Sequence, residues 1–347
     1  MKRIIISLGL IIICLLTSCS TTNNKQINIV YNNYVSEEIN YEKGISSSFC
    51  VASKEEIFSG TIIEYSKGIY YALSTSNLGK INDSVSIVLD DTKSIDGKIT
   101  GIDTKNGMSL IEFSGSETLF TIPTQTTERK KGDCVYTVST PLSSTDSHFC
   151  NSVTKGCLSR MSSIYISTDA SVNSSSFGGG LYNKDGYLLG IIVSKIYSDV
   201  EEGSFVQGSS TVLKIEYAMK SFEQMKKAGE PKRTQLGITV TEYHKAANDV
   251  LAQIYPTDYY SKIKVPDFDR VYCVVIDIDK LKNNVGTLIK QGDIILECNS
   301  VEIIHNEDLS SVLNFLQKGD TLTFKIMRYD EESNSFEQHS VPIILLK

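Results

Sequence analysis

From Ser59 onward, apolar and polar residues alternate in short runs separated by Gly, Asn, Asp and Ser turns. A period of two predicts strands with one buried face, and their number predicts a mostly β fold. The pattern changes over residues 212–227, where Val212, Leu213, Ile215, Tyr217, Ala218, Phe222 and Met225 line one side of a predicted helix. Gly229 stops it and Pro231 follows. Residues 271–278 form an apolar strand containing Cys273. Asn306 is expected to cap a further helix with Glu307 and Asp308 in its first turn, and Leu309, Val312, Leu313 and Leu316 give that helix one apolar face. Gly319-Asp320 then turns into an alternating strand over residues 321–328.

The N-terminus has a different pattern. Lys2 and Arg3 precede an apolar run from Ile4 to Leu16 and then small residues, so residues 1–18 read as a secretory signal. The run is short for a membrane-spanning helix. Leu16-Thr17-Ser18-Cys19 resembles the bacterial lipobox, which implies lipid modification of Cys19 and a protein anchored to a membrane outside the cytoplasm. A diacylglyceryl thioether plus an N-terminal acyl chain would hold it stably, where one chain alone is marginal. Residues 19–43 are polar, Asn-rich and without a clear period, as a lipidated tether would be.

Composition narrows the function. With 41% hydrophobic and 22% charged residues over 347 positions, the chain can bury a core and should hold two or three domains. A net charge of −7 with no long basic block argues against nucleic acid as a partner. Past the start of the tether stand Cys50, Cys134, Cys150, Cys157, Cys273 and Cys298, at spacings that mark neither a zinc site nor a redox C-x-x-C pair. Most lie among apolar strand residues and read as buried thiols, with a Cys150–Cys157 bridge left open. His244 and His305 have no metal-spaced companions and read as surface residues. No metal or cofactor is expected.

Residues 168–191, T-D-A-S-V-N-S-S-S-F-G-G-G-L-Y-N-K-D-G-Y-L-L-G-I, resemble without a gap the active-site segment of HtrA/Deg-type trypsin-like serine proteases. The likeness extends over residues 59–229: Ser59-Gly60-Thr61-Ile62-Ile63, Tyr70 to Leu78, Lys131-Gly132-Asp133 and Val153-Thr154-Lys155-Gly156 are similar to the family's strands. Past residue 229, Gln235-Leu236-Gly237-Ile238 and Lys290-Gln291-Gly292-Asp293-Ile294 resemble the opening and the central G-D turn of its PDZ domain. The resemblance implies a trypsin-like double β-barrel over residues 44–229 followed by an α+β PDZ domain over residues 230–347. Such a domain binds extended C-termini by strand addition. Leu236, Gly237 and Ile238 would form the carboxylate loop, with Leu309, Val312 and Leu313 walling the groove. Residues 239–270 read as an insertion into this domain.

Carried over residue by residue, the family's catalytic base falls on Asn77, its orienting aspartate on Gly107 and its nucleophilic serine on Phe177. An amide is not basic, glycine has no carboxylate, and a benzyl group cannot attack a carbonyl. In such a unit, loss of the nucleophile or base alone costs about 10⁶ in turnover. Ser175 stands two residues before that serine, where the family has a glycine. The expectation is therefore a protein that is no enzyme. It would act as a non-catalytic module binding polypeptide C-termini or misfolded exported proteins, as a homo-oligomer or a hetero-oligomer with an active relative. The alternative is an HtrA-type serine endopeptidase with a rearranged site, for example Ser176 with His148 as base, taking part in proteolysis of exported proteins. Ser174, Ser175 and Ser176 otherwise read as turn residues. The following glycines lack the G-K-[ST] of a phosphate loop.

Overall fold

The computed structural model describes residues 39–53, 56–90, 93–115, 128–140, 151–197, 205–244, 264–266, 270–279, 285 and 288–346. The secretory signal and Cys19 lie outside these residues, as do Cys150, His148 and most of the expected insertion. One compact unit runs from Ile39 to Lys347. Ile39 and Tyr41 pack on the core between the barrels, and helix α1 (Glu42–Ser46) leads into the first strand.

Six strands close the first barrel: β1 (Ser48–Ala52), β2 (Ile57–Ser66), β3 (Ile69–Thr75), β4 (Ser84–Asp90), β5 (Lys93–Asp103) and β6 (Met108–Ser114). Their order around it is β1-β2-β3-β6-β5-β4. Closure removes the open edges that a flat sheet would expose. Phe49, Val51, Ile62, Ala72, Ile87, Ile99 and Ile111 fill the interior, alternating along each strand with outward residues.

The second barrel repeats the plan with β7 (Cys134–Ser139), β8 (Ser152–Met161), β9 (Tyr165–Thr168), β10 (Gly180–Asn183), β11 (Leu188–Tyr197) and β12 (Phe205–Lys214), in the order β10-β11-β12-β9-β8-β7. Helix α2 (Ile215–Ala228) follows and buries Ala218, Phe222 and Met225 against Leu73, Leu110, Tyr136 and Tyr182, in a core shared by both barrels. The expected helix over residues 212–227 is corrected here. Val212 and Leu213 belong to β12, which pairs with β9 and β11 and runs into α2 without a Gly or Pro between.

The C-terminal domain is one antiparallel sheet with a helix. Its strands are β13 (Ile238–Tyr243), β14 (Tyr272–Ile278), β15 (Ile294–Cys298), β16 (Val301–Glu302), β17 (Thr321–Asp330) and β18 (Ser335–Ile344), with α3 (Asn306–Leu313) before β17. The order is β13-β14-β15-β17-β18, with β16 folded onto β15. Asn299 and Ser300, at φ 50° and 64°, make the tight turn between β15 and β16. The cap of α3 is His305 rather than Asn306. Asp308 reaches back to the N–H groups of Ile304 and His305 at 3.0 and 2.8 Å, which starts the helix one residue earlier. The first five residues of the expected insertion, 239–243, are instead part of strand β13.

Candidate functional site

Two places carry the residues the sequence singled out: the seam between the barrels and the flank of the C-terminal sheet. At the seam, Ser174–Ser176 form one turn of 3-10 helix. Asn173 closes it, its Oδ1 accepting from the Ser176 N–H and hydroxyl at 3.2 Å each, while its own N–H donates to Ser176 Oγ at 3.2 Å. Ser176 is fully buried with its hydroxyl occupied by these bonds, and His148, its expected partner, lies outside the described residues. Ser175 is buried too, and Ser174 is the exposed hydroxyl of the run.

Phe177 ends the turn at φ −63°, ψ 135°. Its ring packs into the second barrel with Val135, Leu158, Leu181, Leu189 and Ile192, at 7% exposure. Burying such a side chain stabilises the fold by about 1.5–3 kcal/mol. Its N–H donates to Ser174 O at 3.2 Å, so this amide points into its own turn rather than at a space where an oxyanion could form.

The first barrel grips this turn through main chain and short hydroxyls. Ser59 N donates to Phe177 O at 3.2 Å and Ser59 Oγ to Ser175 O at 2.9 Å. Thr61 Oγ1 donates to Gly178 O at 3.0 Å, and Ser74 Oγ to Ser59 O at 2.7 Å. Gly178 sits at φ 90°, and a Cβ there would lie 2.2 Å from Ser59 O and 2.7 Å from Ser74 Cα. Only glycine allows this approach.

Asn77 lies three residues beyond Ser74, exposed, in the 3-10 turn Ser76–Leu78 that follows β3. Gly107 is beside it, because Ser76 N donates to Gly107 O at 3.0 Å. A Cβ on Gly107 would meet Val193 of β11 at 3.7 Å, so this turn too faces the second barrel. Positions 77, 107 and 177 thus converge on one seam, from β3, the β5–β6 turn and the segment before β10.

The same β5–β6 turn holds a polar network that sequence reading missed. Asp103, at 2% exposure, accepts from Ser221 of α2, from Asn106 at 2.8 Å and from Arg233 in the connection to the C-terminal domain. Arg233 also donates to Gln224, whose Nε2 donates to Phe315 O at 3.0 Å. Asn314 donates to Asn106 Oδ1. Ser163 donates to Asp308 at the start of α3. Burial pushes the Asp308 carboxyl up, but bonds from Ser163 and from the His305 and Ile304 amides outweigh it and hold it below its ordinary range. Lys105, beside this network, is pushed down by burial and by Arg233.

On the C-terminal sheet, β13 pairs on one side with β14 and ends the strand order, leaving its other edge open among the described residues. Gly237 precedes it at φ 76°, its carbonyl accepting from Asp279 N at 2.9 Å. Leu236 and Leu309 are buried in the domain core, while Ile238, Val240, Val312, Leu313 and Leu316 are half-buried around it. Of the six residues expected to form a groove, Leu236 and Leu309 are thus buried in this core, Ile238, Val312 and Leu313 pack partly buried against it, and Gly237 precedes β13. Glu242 ties the far end of β13 to α3, accepting from Asn306 N at 2.9 Å and facing His305 at 3.3 Å. A cavity of about 800 Å³ lies between Tyr217, Met219 and Lys220 of α2 and Val312, Phe315 and Leu316.

Comparison with known proteins gives two family matches: a trypsin-like peptidase domain over residues 59–191 and a PDZ domain over residues 234–337. A serine protease Do-like HtrA of Lactobacillus helveticus is 23% identical over 283 residues, covering 78% of this chain and 65% of the relative. A probable periplasmic serine endoprotease DegP-like protein of Pseudomonas putida (strain W619) is 27% identical over 273 residues, covering 76% and 52%. The chain thus spans between about half and two-thirds of the length of these relatives. Among solved structures, the HtrA-type protease AlgW with a tripeptide superposes with a TM-score of 0.64 at 16% identity, over 89% of this chain and 98% of the other.

The expectation that the chain is no enzyme is corrected by these relatives, which are named as serine proteases and endoproteases. With a peptidase domain and a PDZ domain matched in this order on a shared fold, the chain belongs to the HtrA type of trypsin-like, PDZ-bearing proteins.

Proposed function

We propose that the protein captures exported or misfolded polypeptides by their C-terminal ends outside the cytoplasm and takes part in their proteolysis, as an HtrA-type serine endopeptidase with a rearranged site. The observation that carries this reading is the open edge of β13 beside the partly open flank of α3, with Gly237 in left-handed geometry at its start. An extended peptide adds to such an edge through main-chain hydrogen bonds, and amides around a close-approach glycine suit a terminal carboxylate. The solved structures of AlgW with a tripeptide and a decapeptide, and the periplasmic relatives, support the same reading. So do the signal-like residues 1–18 and Cys19, which would anchor the chain to a membrane.

For hydrolysis, the attacking oxygen must come from a residue other than Phe177. Ser174 is the exposed hydroxyl in the same turn. Attack on a carbonyl would give an acyl-serine and release the amine end, and water would then free the acid end. Unwinding of the 174–177 turn would turn the Phe177 N–H toward the developing oxyanion.

Two measurements test the two halves. Peptides with a free C-terminal carboxylate should bind the full chain about tenfold more tightly than their amides, the worth of one charge-assisted hydrogen bond. Equal affinities would sink the groove. Cleavage of an unfolded polypeptide should disappear in Ser174→Ala while peptide affinity is kept. Undiminished cleavage would place the nucleophile elsewhere, and no cleavage by the natural chain would overturn the hydrolytic half.

A further inference from the structure

Strands β7 and β8 set Cys134 directly opposite Cys157. The bonding around them shows which kind of opposite pair this is. Leu158 N donates to Asp133 O at 3.0 Å and its carbonyl accepts from Gly132 N at 2.8 Å, so the neighbouring step is a hydrogen-bonded one, closed by a bulge at residues 132 and 133. The N–H of Cys157 turns away from Cys134 and donates to Asp169 Oδ1 at 2.6 Å. The two kinds alternate along an antiparallel ladder, so Cys134 and Cys157 form a non-hydrogen-bonded pair, the kind whose side chains lie closer. Such a pair holds its Cα atoms about 4.5 Å apart, inside the ~4.4–6.8 Å that a disulfide spans.

Both side chains share the outer face of the barrel, since Val135 and Leu158, the next residues along each strand, fill its interior. Cys157 is exposed and Cys134 half-exposed, and both are thiols in this structure. Cys50, Cys273 and Cys298 are buried, and burial raises Cys273 and Cys298 to about 12, away from the reactive thiolate. Among the described cysteines, the accessible two are the two that face each other.

We propose that Cys134 and Cys157 are a redox modification site, closing into a cross-strand disulfide that clasps β7 to β8 beside Asp169. This rests on the extracytoplasmic placement proposed above for its occurrence in the cell, and on the strand register alone for its geometry. The oxidant is a disulfide carrier, either a thiol–disulfide oxidoreductase or a small-molecule disulfide. One cysteine thiolate attacks the carrier's disulfide, forming a mixed disulfide and releasing one carrier thiolate. The second cysteine thiolate attacks the sulfur of the first, closing the bridge and releasing the second carrier thiolate. The two protons lost by the cysteines end on the carrier's two sulfurs, and the two electrons go with them.

The bridge would hold the start of the segment running from Asp169 to Phe177, because Cys157 N already binds Asp169. The test treats the reduced full chain with oxidised glutathione, blocks remaining thiols and maps the peptides by mass. One cross-linked pair joining Cys134 to Cys157, lighter by two hydrogens and absent from Cys134→Ser and Cys157→Ser, is expected. The oxidised chain should melt several degrees higher than either variant treated alike. A bridge from either cysteine to Cys150, or both thiols still open to alkylation after oxidation, would overturn the site. Chain taken from its own envelope under acid quench should carry the same bridge. A bridge that forms with glutathione but is missing there upholds the pairing and counts against the extracytoplasmic placement.

Discussion

The seam between the two barrels and the seam between barrel and C-terminal domain are built of different materials. The first is main chain and short hydroxyls: Ser59, Thr61 and Ser74 against Ser175, Phe177 and Gly178, at a separation that leaves no room for a Cβ. The second is long polar side chains: Arg233 and Asn106 on Asp103, Gln224 on Arg233 and Asn314 on Asn106, with Ser163 on Asp308 nearby. Close backbone contact has one good geometry and fails steeply on either side. Long side chains can change rotamer and exchange partners, and their bonds depend on protonation. The contrast predicts a rigid floor under positions 77, 107 and 177 and an adjustable joint to the C-terminal PDZ domain.

The largest expected effect strikes the rigid seam. Gly178→Val should cost about 4 kcal/mol, a positive-φ strain and an overpacked contact each adding ~1–3. It should appear as a lowered urea midpoint; a stability within about 1 kcal/mol of the natural chain would mean the barrels separate easily.

At the adjustable joint, Arg233→Ala leaves the Asp103 carboxylate buried without its cation, for about 3 kcal/mol. Exchanging both, as Arg233→Met with Asp103→Leu, should recover part of that loss: no charge is then stranded, but the buried Ser221 and Asn106 donors lose their acceptor. A double variant as unstable as the single one would show that the joint depends on shape rather than charge.

Much of the architecture was legible because it is local. Alternation marks β17, whose Leu322, Phe324 and Ile326 are buried in turn, and the spacing of Leu309, Val312 and Leu313 marks α3. The seam at positions 77, 107 and 177 was legible only through family resemblance, since nothing local in Asn77 or Gly107 says that they meet. The joint around Asp103 was not legible. Its partners are 130 residues away at Arg233 and 118 at Ser221, and the Asn106–Asn314 contact spans 208. Neither periodicity nor turn chemistry carries a signal over such separations. The start of α2 was misplaced for a related reason: with no breaker between β12 and the helix, apolar Val212 and Leu213 fit both patterns.

Smaller effects sharpen the contrast. Ser59→Ala removes the hydroxyl that donates to Ser175 O and accepts from Thr140 N at 2.7 Å. Leaving these buried groups unpaired should cost about 1–3 kcal/mol, read from thermal unfolding. This loss should be independent of pH. The contribution of Asp308 should not be. Its folded pKa is depressed, so its stabilisation is complete above its ordinary value of 3.8 and is lost as pH falls through the lower folded value. Asp308→Asn should flatten the acid limb of the stability curve; an unchanged limb would remove Asp308 from the joint.

The open edge of β13 also bears on how the protein behaves in a crowd. A row of unpaired N–H and C=O groups accepts any extended chain, including the same edge of a second copy. An edge left open is therefore a seed for clumping, which a peptide added along it would stop. The protein should stay dispersed at concentrations, and for storage times, that lengthen when a short peptide ending in a free carboxylate is present.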